Sequence, residues 1–231
     1  MSSYKHIFFD LDKTLWDIER NSRETLLELS VKHNLTDRGI TSVDEFIIQY
    51  NKINDQLWLE YANNKIDRHT LRFDRFRKAF AIYGIADEEL STAFGNDYTG
   101  IAPLKNNLLP YAIEILEYLS PKYQLHIITN GFEDVQFVKL KNSKLIPYFK
   151  EIITSEKAGF KKPDSRIFEF SMSVAGANTA NSIMIGDSLE ADIIGARLAG
   201  IDQVYFNPGK TPHSEKVTHE IANLEELLKL L

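Results

Sequence analysis

Short apolar runs alternate with helix-length amphipathic stretches along most of this chain. Ile7-Phe8-Phe9, Leu125-His126-Ile127-Ile128, Ile152-Ile153, Ser182-Ile183-Met184-Ile185 and Gln203-Val204-Tyr205-Phe206 read as buried strands. Residues 111–119, 133–141, 164–175, 189–199 and 224–231 carry helical patterns between and after them. Strands alternating with helices in this way predict an α/β fold, with a mostly parallel sheet covered on both faces. Ligands on such sheets collect outside the carboxyl ends of the strands.

Residues from about Asp17 to about Gly100 break the alternation, with helical patterns and no convincing strand. Phe46, Tyr50, Ile53, Leu57 and Tyr61 recur at spacings of four, three, four and four, which places them on one face of a helix. Leu71, Phe76 and Phe80 mark a second helix and residues 87–98 a third. The expected organisation is a discontinuous core domain, 1–16 with 101–231, interrupted by an all-helical domain, 17–100. The crossings then lie near Asp17 and Pro103. Neither internal repeats nor low-complexity tracts interrupt the pattern.

Composition narrows the chemistry. The 231 residues are 43% hydrophobic, enough for a full core. With no cysteine, disulfides, thiolate metal sites and cysteine nucleophiles are excluded, so a metal would need oxygen or imidazole ligands. The six histidines show no HxH or HExxH spacing and read as surface or packing residues. A net charge of −6 argues against polymeric nucleic acid as a partner, though not against a single nucleotide. The amino-terminal apolar run soon meets two acids and does not read as a signal peptide, and no stretch is long enough to span a bilayer. The expected location is cytoplasmic.

Four segments place chemistry at the ends of predicted strands. Asp10 and Asp12 follow the first strand, where one acid can attack phosphorus while the other protonates the departing oxygen and later activates water. A strand ending in a solvated turn would carry the same residues. Thr129-Asn130-Gly131 precedes a helix, so its hydroxyl and N–H groups can face an anion; a helix N-cap with a permissive glycine is the plainer reading. Lys162 stands before Pro163 and beside Lys161, and can be either a phosphate-binding cation or a solvated charge. Gly186-Asp187-Ser188 ends the fourth strand, with Asp192 farther along the following helix. Asp187 suits a hard cation such as Mg²⁺, and could alternatively cap the helix. Jointly these are the parts that phosphoryl transfer needs.

In this order the four segments resemble the motifs of the haloacid dehalogenase-like superfamily, specifically its aspartate-nucleophile phosphatases, across residues 1–15 and about 101–231. The resemblance implies a Rossmann-like core in which Asp10 forms an aspartyl-phosphate and Asp12 is general acid and base. Thr129, Asn130, Gly131 and Lys162 then bind phosphate, with Lys162 also counted as catalytic. Asp187, the Asp10 carboxylate and the Asp12 backbone carbonyl hold Mg²⁺. Asp192, with Ser188 nearby, orients Lys162 or metal-bound water. Asp12 points to phosphate esters, because a dehalogenase attacking carbon does not need this acid. The helical insert resembles the type 1 cap of the superfamily, which closes over substrate.

Within the superfamily the chain is similar to the YjjG-type pyrimidine 5′-nucleotidases. The residues carrying this likeness are the run from Phe8 to Trp16, Tyr50-Asn51-Lys52 through Leu57-Trp58-Leu59-Glu60-Tyr61, and Ile128-Thr129-Asn130-Gly131-Phe132. It implies Mg²⁺-dependent hydrolysis of pyrimidine nucleoside 5′-monophosphates, non-canonical ones included. A phosphoglycolate-type phosphatase or a β-phosphoglucomutase-type mutase would share the core motifs and differ in the cap. Trp16, Trp58 and Tyr61 are candidates to stack on a base, although Tyr61 also belongs to the apolar helical stripe. A non-catalytic binding protein would lack the nucleophile, the acid or the metal ligand, and none is missing. The expected partner is a small phosphate ester, with oligomeric state left open. Residues 210–216 read as a polar surface loop before the last helix.

Overall fold

The computed structural model describes residues 4–231; Met1–Ser3, part of the amino-terminal stretch considered above, lie outside them. The chain divides into two compact units, one running to Ile18 and resuming over Asn106–Leu231, the other comprising Glu19–Lys105.

The first unit is a Rossmann-like α/β layer structure. Its strands are β1 (His6–Phe9), β2 (Gln124–Thr129), β3 (Phe149–Thr154), β4 (Ser182–Gly186), β5 (Asp202–Phe206) and β6 (His219–Ile221). All neighbours pair in parallel, in the order β3-β2-β1-β4-β5-β6. Alternation along the strands feeds two separate cores. Ile7, Phe9, Leu125, Ile127, Ile183 and Ile185 pack with Ile115, Leu116, Leu140 and Leu227. Phe8, Ile128, Ile153 and Met184 pack instead with Ile167, Phe168, Met172 and Ala196. Burial on both faces explains why these strands read as continuous apolar runs.

The second unit holds four helices, α1 (Ile18–Lys32, beginning one residue earlier), α2 (Val43–Ala62), α3 (Arg68–Ala81) and α4 (Glu88–Ile101). Ser42, Asp67 and Asp87 cap three of them by accepting from the backbone N–H groups of Glu45, Thr70 and Leu90. Phe46, Phe76, Phe80 and Phe94 meet at ring separations of 5.2–6.2 Å, so the periodic aromatic residues are core material. A 3₁₀ turn, Ala102–Leu104, follows the last helix at the crossing expected near Pro103.

The helices of the α/β unit are α5 (Ala112–Leu119), α6 (Glu133–Asn142), α7 (Ser155–Ala158), α8 (Ser165–Ala175), α9 (Gly195–Leu198) and α10 (Leu227–Leu230). Three details differ from the sequence reading. The helix expected over 189–199 opens as a π-helical turn, Leu189–Ile194, before α9. The last helix opens as a 3₁₀ turn, Leu224–Glu226. The loop over 210–216 leads into β6 before that helix; β6 escaped notice because it is three residues long and buries only Ile221.

Candidate active site

Strand order reverses direction at β1, and the crevice at that reversal is where open α/β sheets bind ligands. The Asp10 N–H donates to Ile185 O at 2.9 Å, carrying the β1–β4 ladder one residue past the strand. The chain then turns sharply: Leu15 and Trp16 N–H groups both donate to Leu11 O, and Lys13 takes a left-handed φ of 63°. Asp10 is thereby fixed at the carboxyl end of β1, only 7% exposed.

Lys162 reaches it from the loop before α8. Its Nζ donates to Asp10 Oδ1 at 2.6 Å, Asp192 Oδ1 at 2.5 Å and Ile128 O at 2.8 Å. Those acceptors match the three hydrogens of an ammonium, so the buried charge is fully satisfied. Asn130 fixes the backbone behind it, accepting from Lys162 N–H at 2.8 Å and donating to Lys162 O at 2.9 Å. Lys162, rather than Lys161, is therefore the lysine brought to the strand ends. The side chain of Asn130 is thus committed to this peptide.

Asp192 approaches because Gly186 has no side chain: a Cβ there would fall 2.3 Å from Asp192 Oδ2. That oxygen accepts from the Ser188 N–H at 3.0 Å, while Ser188 Oγ caps the following turn by accepting from Ala191 N–H at 3.1 Å. The cap is thus Ser188, which leaves Asp187 free of that duty. Asp187 Oδ1 accepts from Thr14 Oγ1 at 3.1 Å, a partner the sequence reading did not single out.

Asp10, Asp187 and Asp192 offer oxygens all within 4.8 Å of one another. Burial pushes the Asp10 carboxyl up, with Asp192 and Asp187 adding to the rise and Lys162 opposing it. Burial, reinforced by Asp192, raises Asp187 to about 7. Burial disfavours the Lys162 ammonium, but Asp10 and Asp192 outweigh it and hold the proton more tightly than usual. One ammonium among these carboxylates leaves the site short of positive charge. All the donors are oxygen, which suits Mg²⁺. Both Asp192 oxygens are already engaged, so Asp10 and Asp187 are the carboxylates that could hold a cation.

The Asp12 carboxylate does not join them. Lys139 Nζ donates to its two oxygens at 2.7 and 2.9 Å, and Gln136 Nε2 donates to Oδ2 at 2.9 Å. The grouped acids are Asp10, Asp187 and Asp192, and the Asp12 side chain is held beside α6. The part expected of Asp12 at the metal is that of its backbone carbonyl, which these side-chain contacts leave untouched. Thr129 Oγ1 accepts from Gly131 N–H at 3.0 Å and Gln136 Nε2 at 2.7 Å. The N-cap of α6 is Phe132, without a side-chain cap bond. Gly131 leaves room for Gln136, whose Nε2 would lie 2.2 Å from a Cβ at that position.

Of the stacking candidates, Trp16 is 1% exposed within the core and covered by Lys139 Nζ, 4.4 Å from its ring centroid. Its ring has no open face for a base. Tyr61 is buried and meets Trp58 edge-on at 5.7 Å. No helix among the described residues is long and apolar enough to cross a membrane.

A family model described as haloacid dehalogenase-like hydrolase matches residues 4–200. The crystal structure of the putative HAD-hydrolase YfnB from Bacillus subtilis bound to magnesium superposes with a TM-score of 0.88 at 30% identity, covering 98% of each chain. Pyrimidine 5′-nucleotidase PynA of Streptococcus pneumoniae is 31% identical over 99% of this chain and 95% of its own length. Glyceraldehyde 3-phosphate phosphatase of Methanothermobacter thermautotrophicus is 28% identical over 97% of this chain and 99% of its own.

Proposed function

The chain belongs to the haloacid dehalogenase-like hydrolases, and on that premise we propose that it is a phosphatase acting on nucleoside 5′-monophosphates, pyrimidine ones foremost. The observation that carries the phosphatase reading is the Asp10–Lys162–Asp192 cluster beside Asp187 at the β1/β4 crevice. The substrate class draws its support from the likeness to PynA over nearly the full length of both chains.

Lys162 holds Asp10 Oδ1, and among the described residues no donor is bound to Oδ2. That oxygen attacks phosphorus as the ester P–O bond breaks, and the departing 5′-oxygen takes a proton from Asp12. Asp12 then removes a proton from the water that attacks the aspartyl-phosphate, releasing inorganic phosphate and restoring Asp10. Lys162 also faces the negative charge of the transferring group. Thr129, whose hydroxyl accepts two hydrogen bonds and keeps its own proton to donate, is the anion donor on the neighbouring strand. Asp10 and Asp187, with the Asp12 carbonyl that the family resemblance assigns, would hold Mg²⁺. Bound there, the ion would neutralise charge on the phosphoryl oxygens. Asp192 positions Lys162.

A panel of UMP, dUMP, dTMP, phosphoglycolate, glyceraldehyde 3-phosphate and β-glucose 1-phosphate, assayed with Mg²⁺ and with chelator, tests the reading. The pyrimidine nucleotides should give the highest kcat/KM, and chelation should abolish turnover. Preference for a triose or sugar phosphate would move the protein to the class of its glyceraldehyde 3-phosphate phosphatase relative.

A further inference from the structure

Helix α6 packs on the sheet through Leu140, yet two polar side chains share its buried side. Phe137 and Val138 are 41% and 36% exposed, whereas Gln136 is 0% and Lys139 7% exposed. Burying an amide and an ammonium while leaving apolar side chains in water costs stability unless the polar groups find specific partners. Their partners converge on one carboxylate. Three residues apart on the helix, Gln136 and Lys139 share a face, and both reach Asp12. Gln136 also donates to Thr129 Oγ1, and Gly131 keeps the space in which its amide lies. Lys139 rests over the Trp16 ring, which limits where the ammonium can sit.

We propose that Lys139 and Gln136 are positioning residues that hold the Asp12 carboxyl group in the orientation used for proton transfer. The inference rests on the reading of Asp12 as acid and base. A carboxyl that rotated freely at the end of β1 would spend much of its time out of reach of the ester oxygen. Donation from Lys139 to both oxygens restrains its plane, and Gln136 ties it to Thr129. Acid and proposed phosphate donor are thereby fixed to a single helix. This accounts for polar burial on α6 that packing alone does not require.

The test uses the leaving group. When an alkyl phosphate reacts, the P–O bond breaks as the Asp10–P bond forms, and the departing oxygen needs the Asp12 proton. p-Nitrophenolate departs as a stable anion and does not. With Mg²⁺ present, kcat/KM for UMP and for p-nitrophenyl phosphate is measured in wild type, Lys139→Met and Lys139→Arg. In Lys139→Met the value for UMP should fall at least about tenfold further than that for p-nitrophenyl phosphate. Lys139→Arg should recover most of the difference. The ratio within one preparation is independent of the fraction folded, and Gln136→Leu gives the same readout if Lys139→Met is insoluble. Equal losses on both esters, or no loss on either, would overturn the inference while leaving the phosphatase reading intact. A wild-type protein inactive on both would overturn the reading and the inference together.

Discussion

His6, Phe8 and Asp10 are alternate residues along one strand direction, yet the two ends of that short segment treat burial in opposite ways. At the amino end His6 stacks on His126 of β2, with ring centroids 5.4 Å apart and Nδ1 and Nε2 3.2 Å apart. His126 Nδ1 is buried without a partner, and burial lowers that imidazole to about 4, so the ring is neutral near pH 7. At the carboxyl end Asp10 lies against a buried ammonium that is itself shared with Asp192. One end tolerates burial by giving up charge; the other gathers opposite charge around it. Since the sheet offers both ends a similar apolar setting, the difference lies in the polar partners each recruits, and it marks the end where charge is kept for chemistry.

The strongest way to break this comparison is to remove charge where it is kept. Asp10→Asn should lower kcat by about 10³-fold or more, because no other group is placed to accept the phosphoryl group. Steady-state rates on the preferred ester would check this, and near-wild-type turnover would remove Asp10 from its role. The amino end responds to acid. Above pH 6.5 neither folded nor unfolded His126 is protonated; between 6.5 and about 4 only the unfolded chain gains the proton, so stability falls with pH. The loss should be on the order of 3 kcal/mol and level off below pH 4. Urea midpoints from pH 7 to 4 should show it in wild type and a flatter profile in His126→Leu. The carboxyl end should instead respond to cations. Mg²⁺ at a hundred times its Kd should add about 2.7 kcal/mol of stability. Calorimetry should lose that gain in Asp187→Asn and keep it in His126→Leu.

The sequence made the layer order and the strand ends legible because both depend on local pattern. Ile7-Phe8-Phe9 followed by Asp10, or Ser182–Gly186 followed by Asp187, announces a buried strand delivering an acid. What neighbouring residues do not specify is where a side chain turns once it emerges. Asp12 turns toward Gln136 and Lys139, 124 and 127 residues away. Asn130 engages the Lys162 peptide 32 residues on, and Thr14 reaches Asp187 across 173. Trp16, a stacking candidate on the strength of its indole alone, is enclosed by Lys139 and the core. The missed pair shows itself only in the fold. In α6 the polar residues Gln136 and Lys139 recur at helical spacing and are buried, while Phe137 and Val138 face outward.

The position of β1 has a consequence for how the protein is made. It precedes the other described strands along the chain, and its partners begin only at Gln124 and Ser182. Until β2 is made this apolar segment has no edge to join, and until Lys162 is made its acid has no lysine to meet. Closing such distant pairs places a large entropic cost before the rewarding contacts form. The nascent chain therefore carries an adhesive strand from the outset, and ribosome-associated protection during that interval matters more for this fold than for one built from neighbouring hairpins.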